Sequence, residues 1–299
     1  MRPSIAPGFG PREREAALRL MDLAIAEDFG PLGDLTGQAI IPAGATATAR
    51  FVARAEGVVA GLPVVGLLAD RLGLGPGWLS SVEDGDVVGP DAPLAELTGA
   101  ARDILAIERT ALNFLQRLSG IATLTARFVA AVEGTKAMIL DTRKTAPGWR
   151  ALEKYAVRCG GGRNHRSGLY DAVLIKDNHL AWLAGDGDPI GRAIAAARAG
   201  TPEGTVVEVE VDTLDQLDRA LACGADIVLV DNLGPGPLAE AVRRRDAVAP
   251  RVLLEASGGV TLERVGPLAR SGVDRISVGA LTHSAPALDI GLDFVGPVA

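Results

Sequence analysis

All four lysines of the chain lie in one 41-residue window, from Lys136 to Lys176. The window also contains five arginines and only three acidic residues, so it carries a charge of +6, whereas the rest of the chain carries −13. A positive segment on an acidic protein favours a binding site for a small molecule with several negative charges. The alternative is a solvated helix face, and the positions of these cations relative to the strands distinguish the two.

Polar residues or glycines follow each of six apolar segments in the second half of the chain. Lysine and arginine are poor helix N-caps, so capping alone does not explain this arrangement. We therefore favour a binding site built at the ends of these segments. The residues concerned are Thr142, Arg143, Lys144, Lys176, Glu210, Asp231, Ser257, Gly258, Gly259, Gly279 and Ala280.

The segments that position these residues alternate between strand and helix. Apolar, β-branched runs predict strands at 137–141, 171–176, 206–211, 226–231, 251–256 and 274–279. Helical patterns lie between most of them, at 147–158, 189–199, 213–223, 236–248 and 261–271. This alternation indicates βα units and a parallel sheet. No GxGxxG follows a strand, which disfavours a dinucleotide-binding sheet. We therefore predict an α/β barrel with its chemistry at the carboxyl ends of the strands.

The first part of the chain has a mixed pattern. Residues 12–28 predict an amphipathic helix, and residues 46–60 and 92–97 predict strands. Residues 101–132 predict one long helix with an apolar face formed by Ile104, Ile107, Ala111, Leu115, Leu118 and Ile121.

Two glycine-rich strand ends favour a phosphate site. Ser257, Gly258 and Gly259 precede a predicted helix, and Gly279 and Ala280 precede a short apolar segment. Backbone N–H groups at helix starts bind phosphate well, and barrels often build such sites from their last two strand loops. Plain turn chemistry explains either loop alone, but the pair favours phosphate.

Acidic residues and histidines complete the candidate site. Glu210 and Asp231 end neighbouring strands, where carboxylates among cations suggest sugar hydroxyls or Mg²⁺ as ligands. Glu208 lies on the same face as Glu210 and is either the true group or an ion-pair partner in the core. His165 follows a Gly-rich basic loop and titrates near neutral pH. His179 and His283 are weaker candidates for the site, and no set of histidines and cysteines has the sequence spacing of a zinc site.

Composition excludes several classes of protein. Hydrophobic residues make up 48% and charged residues 22% of the chain, which excludes disorder. The longest nearly apolar run is too short to span a membrane, and no secretory signal is visible. Net charge of −7 argues against general nucleic-acid binding. Two cysteines, Cys159 and Cys223, fit a reducing cytoplasm.

Individual residues are compatible with two other functions. A Schiff-base aldolase would use Lys176 at a barrel strand end, although Asp177 and the many arginines favour anion binding. A lipoyl-type carrier is suggested by VEDGDVV at 82–88, but residues 1–135 contain no lysine to modify.

Several long motifs resemble the quinolinate phosphoribosyltransferase family. They occur in the family's order, cover nearly the whole chain and show no departure at a motif position. They are EDFGPLGDLT (27–36), ERTALNFLQRLSGIAT (108–123), DTRKT (141–145), RNHRSGLYDAVLIKDNH (163–179), EVEV (208–211), LVDN (229–232), EASGG (255–259) and ISVGALTHSAPALDIGLDF (276–294).

The resemblance implies a fold and a reaction. The fold is α/β, with an N-terminal α/β sandwich domain at 1–117 and an incomplete (β/α) barrel at 118–282, and the tail at 283–299 packs with the former. The reaction transfers phosphoribosyl from 5-phosphoribosyl-1-pyrophosphate, with Mg²⁺, to quinolinate, and releases nicotinate mononucleotide, pyrophosphate and CO₂. The family forms a head-to-tail homodimer with shared active sites, and larger assemblies of dimers are compatible with it. A related phosphoribosyltransferase with another acceptor remains an alternative, because the phosphate half of its site would look the same.

The resemblance also implies roles for individual residues. Lys144, Glu210 and Asp231 are the catalytic candidates, and Glu210 and Asp231 would hold the metal, directly or through water or substrate. Arg109 matches the arginine supplied across the dimer. The remaining substrate-binding candidates are Thr142, Arg143, His165, Arg166 and Lys176, together with the 5-phosphate loops Ser257, Gly258, Gly259 and Val278, Gly279, Ala280.

Overall fold

The computed structural model describes residues 8–295, apart from Ala184 and Asp186. Its helices are α1 (Pro11–Phe29), α2 (Leu35–Ile40), α3 (Leu62–Arg71), α4 (Ala101–Ala131), α5 (Arg150–Cys159), α6 (Asp177–Ala181), α7 (Pro189–Gly200), α8 (Leu214–Ala222), α9 (Pro235–Val248), α10 (Leu262–Arg270) and α11 (Ala280–His283). Its strands are β1 (Thr46–Ala53), β2 (Gly57–Val58), β3 (Trp78–Ser80), β4 (Val87–Val88), β5 (Pro93–Ala100), β6 (Met138–Leu140), β7 (Val173–Ile175), β8 (Val207–Val211), β9 (Ile227–Asp231), β10 (Leu253–Ser257), β11 (Arg275–Ser277) and β12 (Ile290–Phe294). Within these residues, no helix is both long and apolar enough to cross a membrane.

The chain divides into two compact units. The first, called the sandwich unit, comprises Met1–Ala126, Thr145–Gly161 and Leu281–Ala299. The second, called the barrel unit, comprises Arg127–Lys144 and Gly162–Ala280. The sequence pattern identified the helix that became α5, but it gave no sign that this segment belongs to a different unit from the strands on either side of it.

The sandwich unit contains an antiparallel sheet and the long helix α4. The sheet has the order β12-β1-β5-β3, so the C-terminal strand pairs with the first strand of the chain. Buried side chains alternate with more exposed ones at the start of β1, as expected for a sheet with one covered face. The six residues predicted to form the apolar face of α4 are all buried, which confirms that prediction.

Six parallel strands form the barrel unit, in the order β6-β11-β10-β9-β8-β7. Each predicted strand is present, and helices follow β7 to β11. The barrel is incomplete because β6 and β7 do not pair with each other. On its open side, β6 instead bonds to Arg163, whose N–H donates to the Ile139 carbonyl at 2.8 Å. The segment containing Arg163 therefore brings its following residues beside the carboxyl end of β6.

Candidate active site

Side-chain alternation places one residue from each strand on the inner face of the barrel mouth. Glu210 pairs with Leu229 and Asp231 pairs with Ser257, and paired residues in a parallel sheet point to the same side. The same period of two continues past the strand ends. The inner face of the mouth therefore carries Thr142, Lys176, Glu210, Asp231, Ser257 and Gly279, all of them predicted site residues.

Charges of opposite sign are paired across this mouth. Lys176 Nζ forms an ion pair with Glu210 Oε2 between the adjacent strands β7 and β8. Asp231 Oδ2 accepts a hydrogen bond of 2.5 Å from the Asn232 side chain. Lys144 is exposed, and its backbone N–H donates to Thr142 Oγ1 at 3.0 Å, which fixes the turn after β6. Lys176 is therefore engaged with a neighbouring carboxylate, which favours anion binding over the Schiff-base role.

Arg143 and Arg166 form a pair of neighbouring cations. Burial, and then the adjacent Arg143 guanidinium, lower the pKa of Arg166. Arg166 Nη1 donates to the Ala172 carbonyl at 3.1 Å, but its Nε is buried and has no hydrogen-bond partner among the described residues. A buried donor on a cation beside a like charge is costly unless an anion joins it. This pair therefore fits a carboxylate or a phosphate.

Asp141 holds the loop that carries these groups. Its carboxylate is fully buried and accepts hydrogen bonds from the His165 N–H at 2.8 Å and from Asn164 Nδ2 at 2.6 Å. The carboxylate thus ties the loop to the end of β6. Asp141 is the first residue of the DTRKT motif, but the sequence alone does not predict a role for it, because burial and loop contacts are not visible in a motif.

His165 lies inside the barrel beneath the mouth. Its Nε2 is 3.1 Å from Glu208 Oε2 and 3.4 Å from Glu255 Oε1, while Arg275 Nε is 2.9 Å from Glu255 Oε2. This geometry shows which of the two neighbouring glutamates faces the mouth. Glu208 is 2% exposed and belongs to the buried cluster, whereas Glu210 forms its ion pair at the mouth. His165, Glu208 and Glu255 have the ligand types of a metal site. The Arg275 guanidinium already supplies a positive charge there, so we assign the cluster to ion pairing.

The protonation of His165 follows from its two ring nitrogens. Desolvation opposes a charged ring, but the two carboxylates outweigh it and raise the pKa of His165 to about 9. The Arg166 N–H donates to Nδ1 at 2.8 Å, and a protonated Nδ1 cannot accept that bond. The raised pKa and this hydrogen bond favour different protonation states, and the hydrogen bond is the direct geometric observation. The structure therefore describes the neutral tautomer with its proton on Nε2, and a second proton would require the Arg166 amide to release Nδ1.

The predicted phosphate loops have unusual backbone conformations. Gly258 and Gly259 have φ values of +95° and +52°, and the neighbouring Asn232 has +56°. The Asn232 N–H donates to the Ser257 carbonyl at 3.0 Å, which joins the loops after β9 and β10. The Val278 N–H donates to the Leu140 carbonyl at 2.8 Å, so on that side the loop begins beyond the sheet, with Gly279 and Ala280.

Other candidates occupy different surroundings. Arg109 lies on α4 in the sandwich unit and is exposed, so the barrel unit alone does not bring it to the other candidates. His179 Nδ1 accepts a hydrogen bond of 2.9 Å from the Lys176 N–H at the start of α6. His283 Nδ1 is 2.6 Å from Ser284 Oγ. Both histidines therefore have local structural contacts.

An incomplete parallel barrel with a cationic mouth defines a class of protein that binds small polyanionic molecules. The sequence matches the N-terminal domain of quinolinate phosphoribosyl transferase over residues 34–119 and its C-terminal domain over residues 121–293. This chain belongs to the quinolinate phosphoribosyltransferase family.

Individual relatives cover nearly the whole chain. It is 49% identical to nicotinate-nucleotide pyrophosphorylase [carboxylating] of Mycobacterium leprae, over 94% of this chain and 98% of the relative. It is 42% identical to the probable enzyme of the same name from Bacillus subtilis, over 92% of each. The solved nicotinate-nucleotide pyrophosphorylase of Francisella tularensis superposes with a TM-score of 0.85 at 38% identity, over 94% of this chain and 96% of that one.

The contact between the loops after β9 and β10 generates a prediction about Gly258. A Cβ on Gly258 would lie 2.8 Å from the Asn232 backbone nitrogen and closer still to the Asn232 side chain. Gly258→Ala should therefore reduce the free energy of unfolding and weaken binding of inorganic phosphate. Gly272→Ala is the matched control, because Gly272 has φ +93° but its Cβ would meet Val242 only at an ordinary 3.4 Å.

We expect Gly258→Ala to cost roughly 1–3 kcal/mol more than the control, which is the usual cost of overpacking. Chemical denaturation and calorimetric titration with phosphate measure the two effects. Equal stability losses and unchanged phosphate affinity in both variants would reduce this loop to an ordinary turn.

Proposed function

We propose that this protein transfers phosphoribosyl from 5-phosphoribosyl-1-pyrophosphate to quinolinate with decarboxylation, giving nicotinate mononucleotide, pyrophosphate and CO₂ in the synthesis of NAD. The observation that carries the proposal is the meeting of Lys176, Glu210, Asp231 and Ser257 on one inner face. The family match over residues 34–119 and 121–293 supports the same reaction.

The charges of the substrates match the charges of the site. Quinolinate carries two carboxylates, and the donor carries a 5-phosphate and a pyrophosphate. Arg143 and Arg166 suit the carboxylates of quinolinate, because guanidinium groups bind carboxylates in bidentate geometry, and Lys176 adds a point charge. Lys144 is the exposed cation after β6 and would contact the pyrophosphate. The glycine loops after β10 and β11 would contact the 5-phosphate.

The reaction requires positioning and charge stabilisation by the protein. The quinolinate nitrogen attacks the anomeric carbon of ribose, and the bond to pyrophosphate breaks with its electron pair leaving on oxygen. Positive charge develops on the ribose in the transition state, and the carboxylates of Glu210 and Asp231 would stabilise it. The product nitrogen is a pyridinium, and its positive charge stabilises the electron pair that stays on C2 when the C2 carboxylate departs as CO₂. That electron pair then bonds a proton from the solvent.

Mg²⁺ is part of the proposal because the acidic residues fit it. Glu210 and Asp231 present carboxylate oxygens from adjacent strands, and Mg²⁺ is commonly held by one or two carboxylates together with substrate phosphates. The metal would supply positive charge to the leaving pyrophosphate. Because Lys176 already neutralises Glu210, Asp231 is the carboxylate better placed to contact the metal, directly or through water.

A shared-site homodimer and a cytoplasmic location complete the proposal. The family resemblance assigns Arg109 to the partner's site, and the exposure of this arginine on α4 is compatible with that role. Cys159 and Cys223 are both free thiols, which suits a reducing compartment.

The activity predicts strong preference for the diacid. Purified protein should convert quinolinate, donor and Mg²⁺ into equal amounts of CO₂ and nicotinate mononucleotide, measured together with carboxyl-labelled quinolinate. Nicotinate lacks the C2 carboxylate, and losing the partner of a buried cation costs roughly 2–5 kcal/mol. Nicotinate should therefore be a far poorer acceptor. Equal turnover of both acids, or turnover of a different acceptor only, would contradict the assignment.

The shared site predicts complementation between inactive variants. Arg109→Ala and Lys144→Ala should each fold and lose activity. After subunit exchange, the mixture should recover up to about a quarter of wild-type activity, because half of the dimers are mixed and each has one intact site. Arg127→Ala is the matched control, because this arginine is also exposed on α4 and should keep full activity. No recovery, despite demonstrated heterodimers, would remove Arg109 from the partner's site.

A further inference from the structure

The buried ion-pair cluster formed by His165, Glu208, Glu255 and Arg275 lies below the residues that the proposed reaction uses. Glu208 and Glu255 are 2% and 0% exposed, and neither carboxylate reaches the mouth. Burial acts to raise the pKa of Glu255, but His165 and Arg275 outweigh it and the pKa is lowered, so this carboxylate is ionised. Replacing buried ion pairs by apolar residues often leaves stability unchanged or improves it. Stability is therefore a weak explanation for this cluster.

Both ring nitrogens of His165 are engaged. The cluster faces Nε2, and the Arg166 amide donates to Nδ1. A ring held at both nitrogens has a fixed rotamer, and a fixed Nδ1 in turn fixes the direction of the Arg166 amide. The Asp141 carboxylate accepts the His165 N–H, so the backbone on the other side of this residue is fixed as well.

The guanidinium of Arg166 depends on this arrangement. It lies beside Arg143, and the repulsion between two cations favours moving it away from Arg143. It donates a hydrogen bond to the Ala172 carbonyl, which does not offset that repulsion with a negative charge. Two carboxylates attract Arg166 electrostatically: Glu208 of the buried cluster and Asp171 of the same loop.

We propose that Glu208 and Glu255 are positioning residues, which hold the His165 ring and through it aim the Arg166 guanidinium at a carboxylate of the acceptor. Arg275 stabilises Glu255 in that role. The inference rests on the proposed function for the identity of the acceptor. Loss of either glutamate should therefore weaken binding of the acceptor diacid while leaving the phosphoribosyl donor almost unaffected.

The experiment compares Glu255→Gln and Glu208→Gln with wild type in the full-length chain. Glutamine keeps the shape of glutamate and removes its charge, and the second variant decides the question if the first does not fold. Glu240→Gln is the matched control, because Glu240 is an ion-paired glutamate at the surface of α9. Each protein is checked by its unfolding midpoint, and KM is measured separately for quinolinate and for the donor.

Histidine ¹⁵N spectra give a readout that needs no activity. The chain contains three histidines, so three ring systems are expected, and His165→Gln identifies the one of interest. In wild type, His165 should show a proton held on Nε2. In Glu255→Gln and Glu208→Gln its signals should move or broaden, whereas those of His179 and His283 should stay.

We expect the quinolinate KM to rise roughly tenfold or more in both variants, since each replaces a charged acceptor of the ring N–H by a neutral and weaker one. The donor KM should change by less than about twofold, and the control should match wild type. Unchanged His165 signals, an unchanged quinolinate KM, or equal rises in both KM values would overturn the proposal. A wild-type protein that ignores quinolinate would refute the proposed function instead, and the His165 signals would still decide the positioning role.

Discussion

Buried carboxylates beneath a cluster of cations are the constraint on which the rest of this site depends. Arg143 and Arg166 repel each other, and burial makes that repulsion stronger. Asp141, Glu208 and Glu255 are almost completely buried. Asp141 holds the loop at the end of β6, and Glu208 and Glu255 lie beside the His165 ring inside the barrel. The proposed anion site is therefore organised before any substrate arrives.

Parallel strands make this arrangement possible. Their period of two places charged residues at two depths on one inner face, so that Glu208 lies in the interior while Glu210 reaches the mouth. The outward residues of the same strand, Val207, Val209 and Val211, are buried and form part of the apolar core. One strand thus contributes to the core, to the support of the site and to the site itself. Such preorganised charge is the main means by which a protein stabilises charge that develops during a reaction.

The sequence predicted the strands and the mouth residues well, because both depend on local periodicity. Apolar runs located all six barrel strands, and a predicted polar residue or glycine at each strand end lies on the inner face. The supporting residues were missed because their roles depend on burial and on contacts between distant segments. Arg275 meets Glu255 only through the pairing of β10 with β11, and His165 meets both glutamates only because its loop lies beside β6. The assignment of 145–161 to the sandwich unit was not predicted for the same reason.

We propose that one organised set of cations, rather than the general positive field of the segment, recognises the diacid. Calorimetric titration of quinolinate into the full-length protein without donor tests it, using Arg166→Gln and Arg163→Gln. The two arginines lie three residues apart in one loop, but Arg163 is exposed whereas Arg166 has a buried Nε. The account predicts that Arg166→Gln weakens binding by roughly tenfold or more while Arg163→Gln binds like wild type. Equal losses in the two variants would contradict it.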